Sequence, residues 1–267
     1  MRDSDPFNMS RKKIGLALSG GGARGFAHVG VLKVFAEHDI PIDVVAGTSI
    51  GSLVGGAFAA GMSVGEIEKM AHAVRWRHLT RPSFSPISLL SNAPMGRLIE
   101  QNFPVTDFGK FKLPFAAVTC DLKEEEIVVF SDKGDSVAAI RASCAVPAVF
   151  SPIHQNGRML VDGGVMAPVP IDAAKELGAD IIIAVDLLSS GAGFRQYPST
   201  AMGMLFLSAM VLVRSLTDNQ KNKADITIVP EIAHIRPDRL RQRKECQRLG
   251  EEAARARIDE IKALIAG

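Results

Sequence analysis

The chain has 267 residues, 47% of them hydrophobic and 22% charged, with a formal net charge of +2. These values are ordinary for a globular protein and exclude a chain that is disordered throughout, and the length suits one α/β domain with a sizeable core. Three widely spaced cysteines without a C-x-x-C pair give no sign of a zinc or redox motif and favour a reducing compartment.

The first thirteen residues, Met1 to Lys13, are polar and lack the apolar core of a secretory signal peptide. We expect this segment to be flexible and residues 14–267 to form a single domain. The protein is therefore expected in the cytoplasm, and association with a membrane stays open.

Short apolar runs typical of strands recur along the chain, and longer segments with helical spacing separate them. The predicted strands are Ile14–Leu18, Val44–Ala46, Phe115–Cys120, Ile127–Phe130, Arg158–Val161, Ile181–Val185 and Ile226–Val229. Helices are predicted at Ala27–Glu37 and Ile50–Ala60, of which the second is apolar nearly all round and therefore buried. This alternation predicts an α/β fold.

Four later segments differ in character from these elements. Trp76 to Pro94 is rich in Pro, Ser and Arg without a clear period, so we expect an irregular surface excursion at the entrance of a binding site. Ala201 to Val213 is the longest apolar run and falls short of the ~20 residues of a membrane span. We expect a helix that packs in the core or else docks partly on the surface, where Met202, Met204 and Met210 could contact acyl chains. Arg236 to Arg248 is basic but interleaved with acidic residues, as solvated helix faces are, and contact with anionic lipid head groups is the alternative. The same two interpretations apply to Arg75, Arg77, His78 and Arg81. Leu249 to Ile265 predicts a terminal amphipathic helix on the sheet.

Two glycine-framed turns follow the first two predicted strands. Ser19–Gly25 contains three consecutive glycines, and without side chains to block approach their N–H groups can point together at an anion. Gly47–Gly51 reads G-T-S-I-G, in which the flanking glycines let a strand turn sharply into a helix and leave the Ser49 hydroxyl exposed. Together the turns predict a serine hydrolase with an oxyanion hole.

A serine nucleophile needs a neighbouring base, and one acidic tripeptide is a candidate. Asp162-Gly163-Gly164 follows a predicted strand, so the carboxylate can project toward Ser49 while the backbone turns away. The same tripeptide is also ordinary β-turn chemistry. The tripeptide by itself leaves both interpretations open.

With all these elements present, the chain resembles the patatin-like phospholipase family in its short bacterial form. That family carries a G-G-G-x-R/K-G turn, a G-x-S-x-G elbow, an A-S-x-x-x-P segment and a D-G-G/A tripeptide, found here in the same order as Gly20–Gly25, Gly47–Gly51, Ala142–Pro147 and Asp162–Gly164. The resemblance runs from about Ile14 to Val185 and more loosely through the terminal helix. It implies a three-layer α/β/α fold with a mainly parallel central sheet and a nucleophile elbow.

The resemblance also implies roles for individual residues. Ser49 would be the nucleophile, Asp162 the base, and Gly21 and Gly22 the donors of an oxyanion hole. Arg24 matches the basic position of the family, where it would either bind a substrate phosphate or shape the glycine turn, and both roles stay open. The other motif glycines are Gly20, Gly25, Gly47, Gly51, Gly163 and Gly164.

The implied activity is hydrolysis of a lipid acyl ester, of the phospholipase A or lysophospholipase type, through an acyl-serine intermediate. The expected substrate is a lipid or fatty acyl ester, and peripheral contact with a membrane stays open. We expect no metal, no other cofactor, no dinucleotide and no nucleic acid partner.

Three other interpretations compete with this one. An α/β-hydrolase triad could be formed by Ser49, by Asp162 or Asp186, and by His234, in that chain order. The glycine turn also fits a dinucleotide-binding fingerprint, but Asp43 precedes the second strand whereas the ribose-binding acid would follow it. A regulatory or binding protein with a dormant hydrolase site would carry the same residues.

Overall fold

The structure is a computed structural model that describes residues 11–190 and 198–266. Residues 1–10 of the segment predicted to be flexible therefore lie outside the described residues, and residues 11–13 are described. Arg11, the first described residue, forms an ion pair with Asp43 at 2.6 Å. The end of that segment is thus tied to the body of the fold.

Eleven strands and ten helices make up the described part of the chain. The strands are β1 (Ile14–Leu18), β2 (Val44–Thr48), β3 (Arg81–Pro82), β4 (Ser88–Ser91), β5 (Phe115–Asp121), β6 (Glu126–Phe130), β7 (Ala148–Phe150), β8 (Ile153–Gln155), β9 (Arg158–Asp162), β10 (Ile181–Val185) and β11 (Ile226–Ile228). The helices are α1 (Phe26–Glu37), α2 (Ile50–Ala59), α3 (Val64–Ala73), α4 (Trp76–Leu79), α5 (Ala93–Asn102), α6 (Ser136–Ser143), α7 (Ile171–Glu176), α8 (Ala201–Gln220), α9 (Arg243–Arg255) and α10 (Ile258–Ala266).

Eight of the strands form a central sheet in the order β11-β10-β1-β2-β5-β9-β8, with β6 also paired to β5. The strands from β11 to β5 in this order run parallel, whereas β6, β8 and β9 are antiparallel to their neighbours. The other three strands form a small sheet in the order β3-β4-β7. All seven strands predicted from the sequence are present, and the α/β prediction is confirmed.

Helices cover both faces of the central sheet, which is why its parallel strands are apolar on both sides. Successive side chains of β1 point to opposite faces, so Leu16 and Leu18 join a large core with α1, α2 and α9. Ala17 joins a smaller, alanine-rich core with α7 on the other face. These are the three layers that the resemblance implies.

The strands β2 and β9 lie end to end along one edge of β5. Along β5, β2 pairs with Phe115–Val118 and β9 pairs with Thr119–Asp121. β6 pairs with Ala117–Asp121 along one edge of β5. β2 and β9 must therefore both pair along the other edge of β5. Thr48 at the end of β2 lies opposite Val118, and Asp162 at the end of β9 lies opposite Thr119. The two strand ends therefore meet.

The excursion between Trp76 and Pro94 is a folded unit, so the prediction of an irregular segment is wrong. It contains α4, β3 and β4, and β4 runs parallel to β7 with Leu90 opposite Phe150. The four strands that sequence reasoning missed, β3, β4, β7 and β8, are two to four residues long. Such short strands carry no periodic signal. β4 and β7 pair with each other across a long stretch of chain, whereas β3 and β8 each pair with the strand that follows them.

The amphipathic helix predicted at the C-terminal end is two helices. The chain turns at Ala256 and Arg257, between α9 and α10. Ala254 and Ile261, on either side of that turn, are both fully buried. The predicted apolar stripe is therefore real, but the helix that carries it is interrupted.

The apolar run from Ala201 to Val213 forms most of α8, which lies at the surface, so of the two expectations for this helix the one of core packing is wrong. Leu205 and Leu212 are each 66% exposed. The C-terminal end of α8 is anchored, since Gln220 Nε2 donates to the carbonyl of Met166 at 3.0 Å. Among the helices that the structure describes, none has the length and apolar character to cross a bilayer.

Candidate active site

The two glycine-framed turns lie side by side at one edge of the central sheet. Their strands β1 and β2 are parallel neighbours, with Leu18 opposite Gly47, so both chains leave the sheet at the same end. A Cβ placed on Gly20 would be 3.4 Å from the Cβ of Ser49. The glycine turn is therefore in contact with the candidate nucleophile.

Ser49 occupies a sharp turn between β2 and α2. Its φ and ψ of 54° and −126° are unusual for a residue with a side chain, and α2 begins at the next residue, Ile50. A Cβ on Gly51 would lie 2.1 Å from the carbonyl oxygen of Leu18, so only glycine allows this close approach. Ser49 is 9% exposed. This is the nucleophile elbow that the motif predicts.

The hydroxyl of Ser143 holds the elbow in place. It donates to the carbonyl of Val118 at 2.6 Å and accepts from the backbone N–H of Ser49 at 2.9 Å. The side chain is fully buried. Sequence reasoning assigned no contact to Ser143, although its position in the A-S-x-x-x-P motif was the available signal.

The carboxylate of Asp162 lies beside Ser49 because β2 and β9 meet end to end. The amide of Asp162 donates to the carbonyl of Ala145 at 2.9 Å, and its Oδ1 accepts from the amide of Gly164 at 2.8 Å. The residue is 5% exposed, and its Oδ2 is buried without a hydrogen-bond partner in the described part of the chain.

Burial raises the pKa of Asp162 to about 6, because a carboxylate loses its hydration in this site. The nearby hydroxyl of Ser49 and the amide of Gly164 lower the pKa and thus oppose part of this effect. The hydroxyl is close enough to act on the carboxylate but does not meet the geometry of a hydrogen bond to Oδ2. An aspartate with this pKa is ionised at neutral pH and is a stronger base than an exposed one.

The glycine turn presents two backbone donors without acceptors. The amide of Gly20 is occupied, since it donates to the carbonyl of Pro168 at 3.0 Å. Within the described residues, the amides of Gly21 and Gly22 have no hydrogen-bond acceptor. Gly22 has a φ of 57°, and a Cβ there would lie 2.5 Å from the carbonyl oxygen of Pro237. The backbone of this turn therefore requires glycine.

The buried side chain of Arg24 connects the glycine turn to two other segments of the chain. It is 1% exposed, and it donates from Nε to the carbonyl of Ile235 at 2.8 Å and from Nη1 to the carbonyl of Leu187 at 3.1 Å. Burial lowers the pKa of its guanidinium. These contacts favour the role of shaping the glycine turn over that of binding a substrate phosphate.

The segment after Asp162 ties the two turns together. This segment contains Gly163 and Gly164 and continues to the Ala167 carbonyl, which accepts from the Thr48 hydroxyl at 2.8 Å. The next carbonyl, that of Pro168, is the acceptor for the glycine turn. The remaining motif glycine, Gly25, ends the short 3₁₀ turn before α1. All four motifs thus contribute to one site.

A buried thiol, which sequence reasoning did not single out, lies next to the elbow. Cys144 Sγ is 3.9 Å from the hydroxyl of Ser52, one turn after Ser49 in α2. Burial raises the pKa of this thiol, and the charge of Asp162 raises it further. Cys144 is therefore neutral and adds apolar volume beside the carboxylate.

The histidines do not assemble a triad with Ser49. His234 is 40% exposed and contacts Glu245 at 2.8 Å, and Asp186 accepts instead from the amides of Leu188 and Ser189. Among the described residues, none of the six histidines has a hydrogen bond to the serine. The site brings together Ser49 and Asp162 rather than a histidine.

The buried histidine nearest the glycine turn has a structural position. His28 Nε2 contacts the carbonyl of Ser19 at 2.9 Å, and burial lowers the pKa of the imidazole to about 4. The ring is therefore neutral and fixes the residue that begins the turn.

The dinucleotide alternative lacks its acidic residue at the proper end of the sheet. Asp43 lies at the start of β2, where it pairs with Arg11 and accepts from the amide of Ile14 at 2.7 Å. The carboxyl end of β2 instead carries Ser49. The carboxyl end of β2 therefore offers a serine where a dinucleotide site would have a ribose-binding acid.

Comparison with known proteins gives one family and several relatives. Residues 16–175 match the family described as patatin-like phospholipase. Lysophospholipase NTE1 of Meyerozyma guilliermondii is 37% identical over 185 residues, and an uncharacterized NTE family protein of Mycobacterium bovis is 36% identical over 187 residues. The matches cover 67% and 69% of this chain but only 13% and 51% of those proteins.

Solved structures agree on the fold. The crystal structure of VipD from Legionella pneumophila matches with a TM-score of 0.57 and 15% identity, covering 94% of this chain and 67% of that chain. At this identity the likeness concerns the fold alone. It confirms the three-layer arrangement with a mostly parallel central sheet.

Proposed function

Because this chain belongs to the patatin-like phospholipase family, we propose that it hydrolyses lipid acyl esters with Ser49 as the nucleophile and Asp162 as the general base. The observation that carries the proposal is the meeting of these two side chains at the ends of β2 and β9. A serine on a sharp turn and a buried carboxylate with an unpartnered oxygen form a nucleophile and base pair.

Proton transfer is the first step that this pair would perform. The ionised carboxylate of Asp162 accepts the proton of Ser49 through Oδ2 as the hydroxyl oxygen attacks the ester carbonyl carbon. The pKa of about 6 supports this role, because the group is ionised at neutral pH yet more basic than an ordinary aspartate. Catalytic hydrogen bonds often become shorter and better aligned only when substrate binds, so the present geometry is compatible with the transfer.

The glycine turn would stabilise the negative charge that develops on the carbonyl oxygen. The amides of Gly21 and Gly22 support this assignment because they have no acceptor within the described residues and directly follow Gly20, which contacts Ser49. The positive end of α2 begins directly after the serine and adds a favourable dipole. A single oxyanion donor is typically worth about 3 kcal/mol of barrier.

The reaction would proceed through an acyl-serine. Collapse of the tetrahedral intermediate breaks the ester bond, and Asp162 returns its proton to the departing alcohol. A water molecule then gives a proton to the same carboxylate and attacks the acyl carbon. The bond from that carbon to the Ser49 oxygen breaks, Asp162 returns the proton to this oxygen, and the fatty acid is released. The residues present are sufficient for both halves of this cycle.

Phospholipids and lysophospholipids are the substrates that we infer. The fungal relative is named a lysophospholipase, and the family name refers to phospholipases. With Arg24 engaged in the support of the turn, the site has few charged groups to bind a small polar acid. An ester of a long acyl chain suits it better.

Covalent labelling with a long-chain fluorophosphonate tests the proposal directly. The intact mass of the labelled protein should increase by one adduct, which peptide mapping should place on Ser49. Ser49→Ala should give no adduct, and Asp162→Asn should label far more slowly. Asp172→Asn, whose exposed carboxylate pairs with Lys223, is the matched control and should label like the unmodified protein.

Release of fatty acid from a lysophospholipid by the same variants tests turnover. We expect loss of hydrolysis in Ser49→Ala and Asp162→Asn and normal hydrolysis in Asp172→Asn. Labelling of Ser49 without release of fatty acid would favour a regulatory or binding protein with a dormant hydrolase site. A large loss in His234→Ala would instead support the histidine triad and refute the serine and aspartate pair.

A further inference from the structure

One exposed surface of the molecule combines large apolar side chains with arginines. It is formed by α4, by the β3 and β4 hairpin and by α5, and we call it the hairpin surface. Its members are Arg75, Trp76, Arg77, Arg81, Phe84, Ile87, Leu89 and Arg97. None of them belongs to the candidate active site.

The apolar side chains of the hairpin surface stand in solvent on an ordered scaffold. Phe84 is fully exposed and Leu89 is 71% exposed. The hairpin beneath them is held by the hydroxyls of Ser83, Ser88 and Ser151, of which the last two are 2.7 Å apart. Apolar side chains displayed in this way on a fixed hairpin mark an interaction site.

The arginines of this surface have no acidic partners. No Asp or Glu occurs between Glu68 and Glu100 in the sequence. Within the described chain, none of the four guanidinium groups forms an ion pair with a carboxylate. The basic stretch near the C-terminal end differs, because Arg236 pairs with Asp238 there. The hairpin surface thus carries uncompensated positive charge and calls for an anionic partner.

A cleft adjoins the same surface. Its volume is about 370 Å³, and it lies between α3, α4 and α5. Arg77 and Arg97 line it together with the apolar side chains of Val74 and Leu98. The polar side chains of His78, Gln101 and Asn102 also line the cleft. Two guanidinium groups beside apolar side chains match a phosphate group attached to an aliphatic chain.

We propose that the hairpin surface docks on an anionic phospholipid membrane. Phe84, Ile87 and Leu89 enter the boundary between head groups and acyl chains, while the arginines bind lipid phosphates. A bilayer is the partner that supplies both an apolar layer and a dense array of anions. Docking of this kind goes beyond the proposed hydrolysis, because it requires neither Ser49 nor Asp162.

The small sheet connects this surface to the candidate active site. β4 pairs with β7, and β7 follows the segment that carries Ser143, the residue that holds the amide of Ser49. Docking would therefore take place on an element joined to the elbow by a short stretch of chain. In a protein docked in this way, the candidate active site would lie close to the lipids of the membrane.

Vesicle sedimentation with the full chain tests the proposal. The unmodified protein should bind vesicles of phosphatidylcholine and phosphatidylglycerol in equal parts, should bind less as salt is raised, and should bind phosphatidylcholine alone poorly. The variant Arg77→Gln/Arg81→Gln/Arg97→Gln should lower the partition constant by about a hundredfold. The variant Phe84→Ser/Ile87→Ser should lower it at least about tenfold.

Two control variants address the other candidate surfaces. Leu205→Ser/Leu212→Ser changes the exposed apolar face of α8, and Arg239→Gln/Arg241→Gln changes the other basic stretch. Both should bind vesicles normally. All four variants should hydrolyse a short water-soluble ester at the rate of the unmodified protein. That result would show that the variants are folded, and it would distinguish a loss of vesicle binding from a loss of hydrolysis.

Several results would overturn the docking proposal. One is the absence of binding to mixed vesicles by the unmodified protein. Another is a result in which a control variant loses vesicle binding while both variants of the hairpin surface bind normally. If soluble polyphosphate bound with the same arginine dependence and the Phe84→Ser/Ile87→Ser variant kept full vesicle binding, the surface would serve a soluble polyanion instead.

Discussion

Replacement of Asp162 by asparagine should remove activity and increase stability at neutral pH. The carboxylate is buried beside Ser49, and its ionised form is held there at a cost in folding free energy. Asparagine has the same shape and keeps an oxygen for the amide of Gly164, but it carries no charge. The variant therefore removes the unfavourable folding free energy of the buried charge, and it removes the catalytic base at the same time.

The size of the effect follows from the pKa of the carboxyl group. That pKa rises from 3.8 to about 6 on folding. Between these values the folded protein holds a proton that the unfolded chain has lost, so stability falls as the pH rises through this window. At about 1.4 kcal/mol per pKa unit, the ionised carboxylate costs the folded protein about 3 kcal/mol at neutral pH.

Urea unfolding at two pH values measures this cost. At about pH 7.5 the free energy of unfolding should be about 3 kcal/mol larger for Asp162→Asn than for the unmodified protein, and at about pH 4 the difference should shrink to less than about 1 kcal/mol. Other titrating groups are common to both proteins and cancel in the comparison. Asp172→Asn, at an exposed ion pair, should change stability by less than about 1 kcal/mol at both pH values.

Equal or lower stability of Asp162→Asn at neutral pH would refute this reasoning. It would mean that the charge of Asp162 is compensated in the folded protein. A stability gain that is independent of pH would also contradict it, because the gain would then come from packing.

Four further predictions concern the same site. The value of kcat/KM for a soluble ester should rise with pH as Asp162 ionises, with an apparent pKa near 6, and a profile that is flat from about pH 4 to 8 would contradict its role as base. Ser143→Ala should lower the free energy of unfolding by about 2 kcal/mol and kcat at least about tenfold, because the amide of Ser49 loses its buried acceptor; denaturant curves and initial rates check both. Gly22→Ala should cost about 2 kcal/mol or more and abolish hydrolysis, as measured by thermal unfolding and ester cleavage, whereas a stable and active variant would show that the turn tolerates a side chain. His234→Ala should leave kcat/KM within about twofold of normal, since its only described side-chain partner is an exposed glutamate.

Local features of the sequence were enough to identify the elements of the site. The alternation of apolar runs predicts the long strands, because buried parallel strands are apolar on both faces. The glycines around Ser49 predict its sharp turn, and those before Arg24 predict a turn with free amides, because both depend on backbone geometry that few residues other than glycine allow.

Other features could not be read from local pattern. The strands β3, β4, β7 and β8 are too short for a period, and the pairing of β4 with β7 joins segments that are far apart in the chain. The sequence also left open whether α8 is buried or exposed, since an apolar sequence indicates burial whether or not another element is present to cover it.

The tertiary structure decided how the residues of the site relate to one another. Asp162 meets Ser49 because β2 and β9 share one edge of β5, an arrangement that involves three strands far apart in the chain. The bond of Ser143 to the elbow and the burial of Arg24 arise in the same way. The sequence by itself determined which groups are available and which turns carry them, since those properties are local. Their distances, their burial and the raised pKa of Asp162 depend on which distant segments exclude water around them, and only the folded chain sets that.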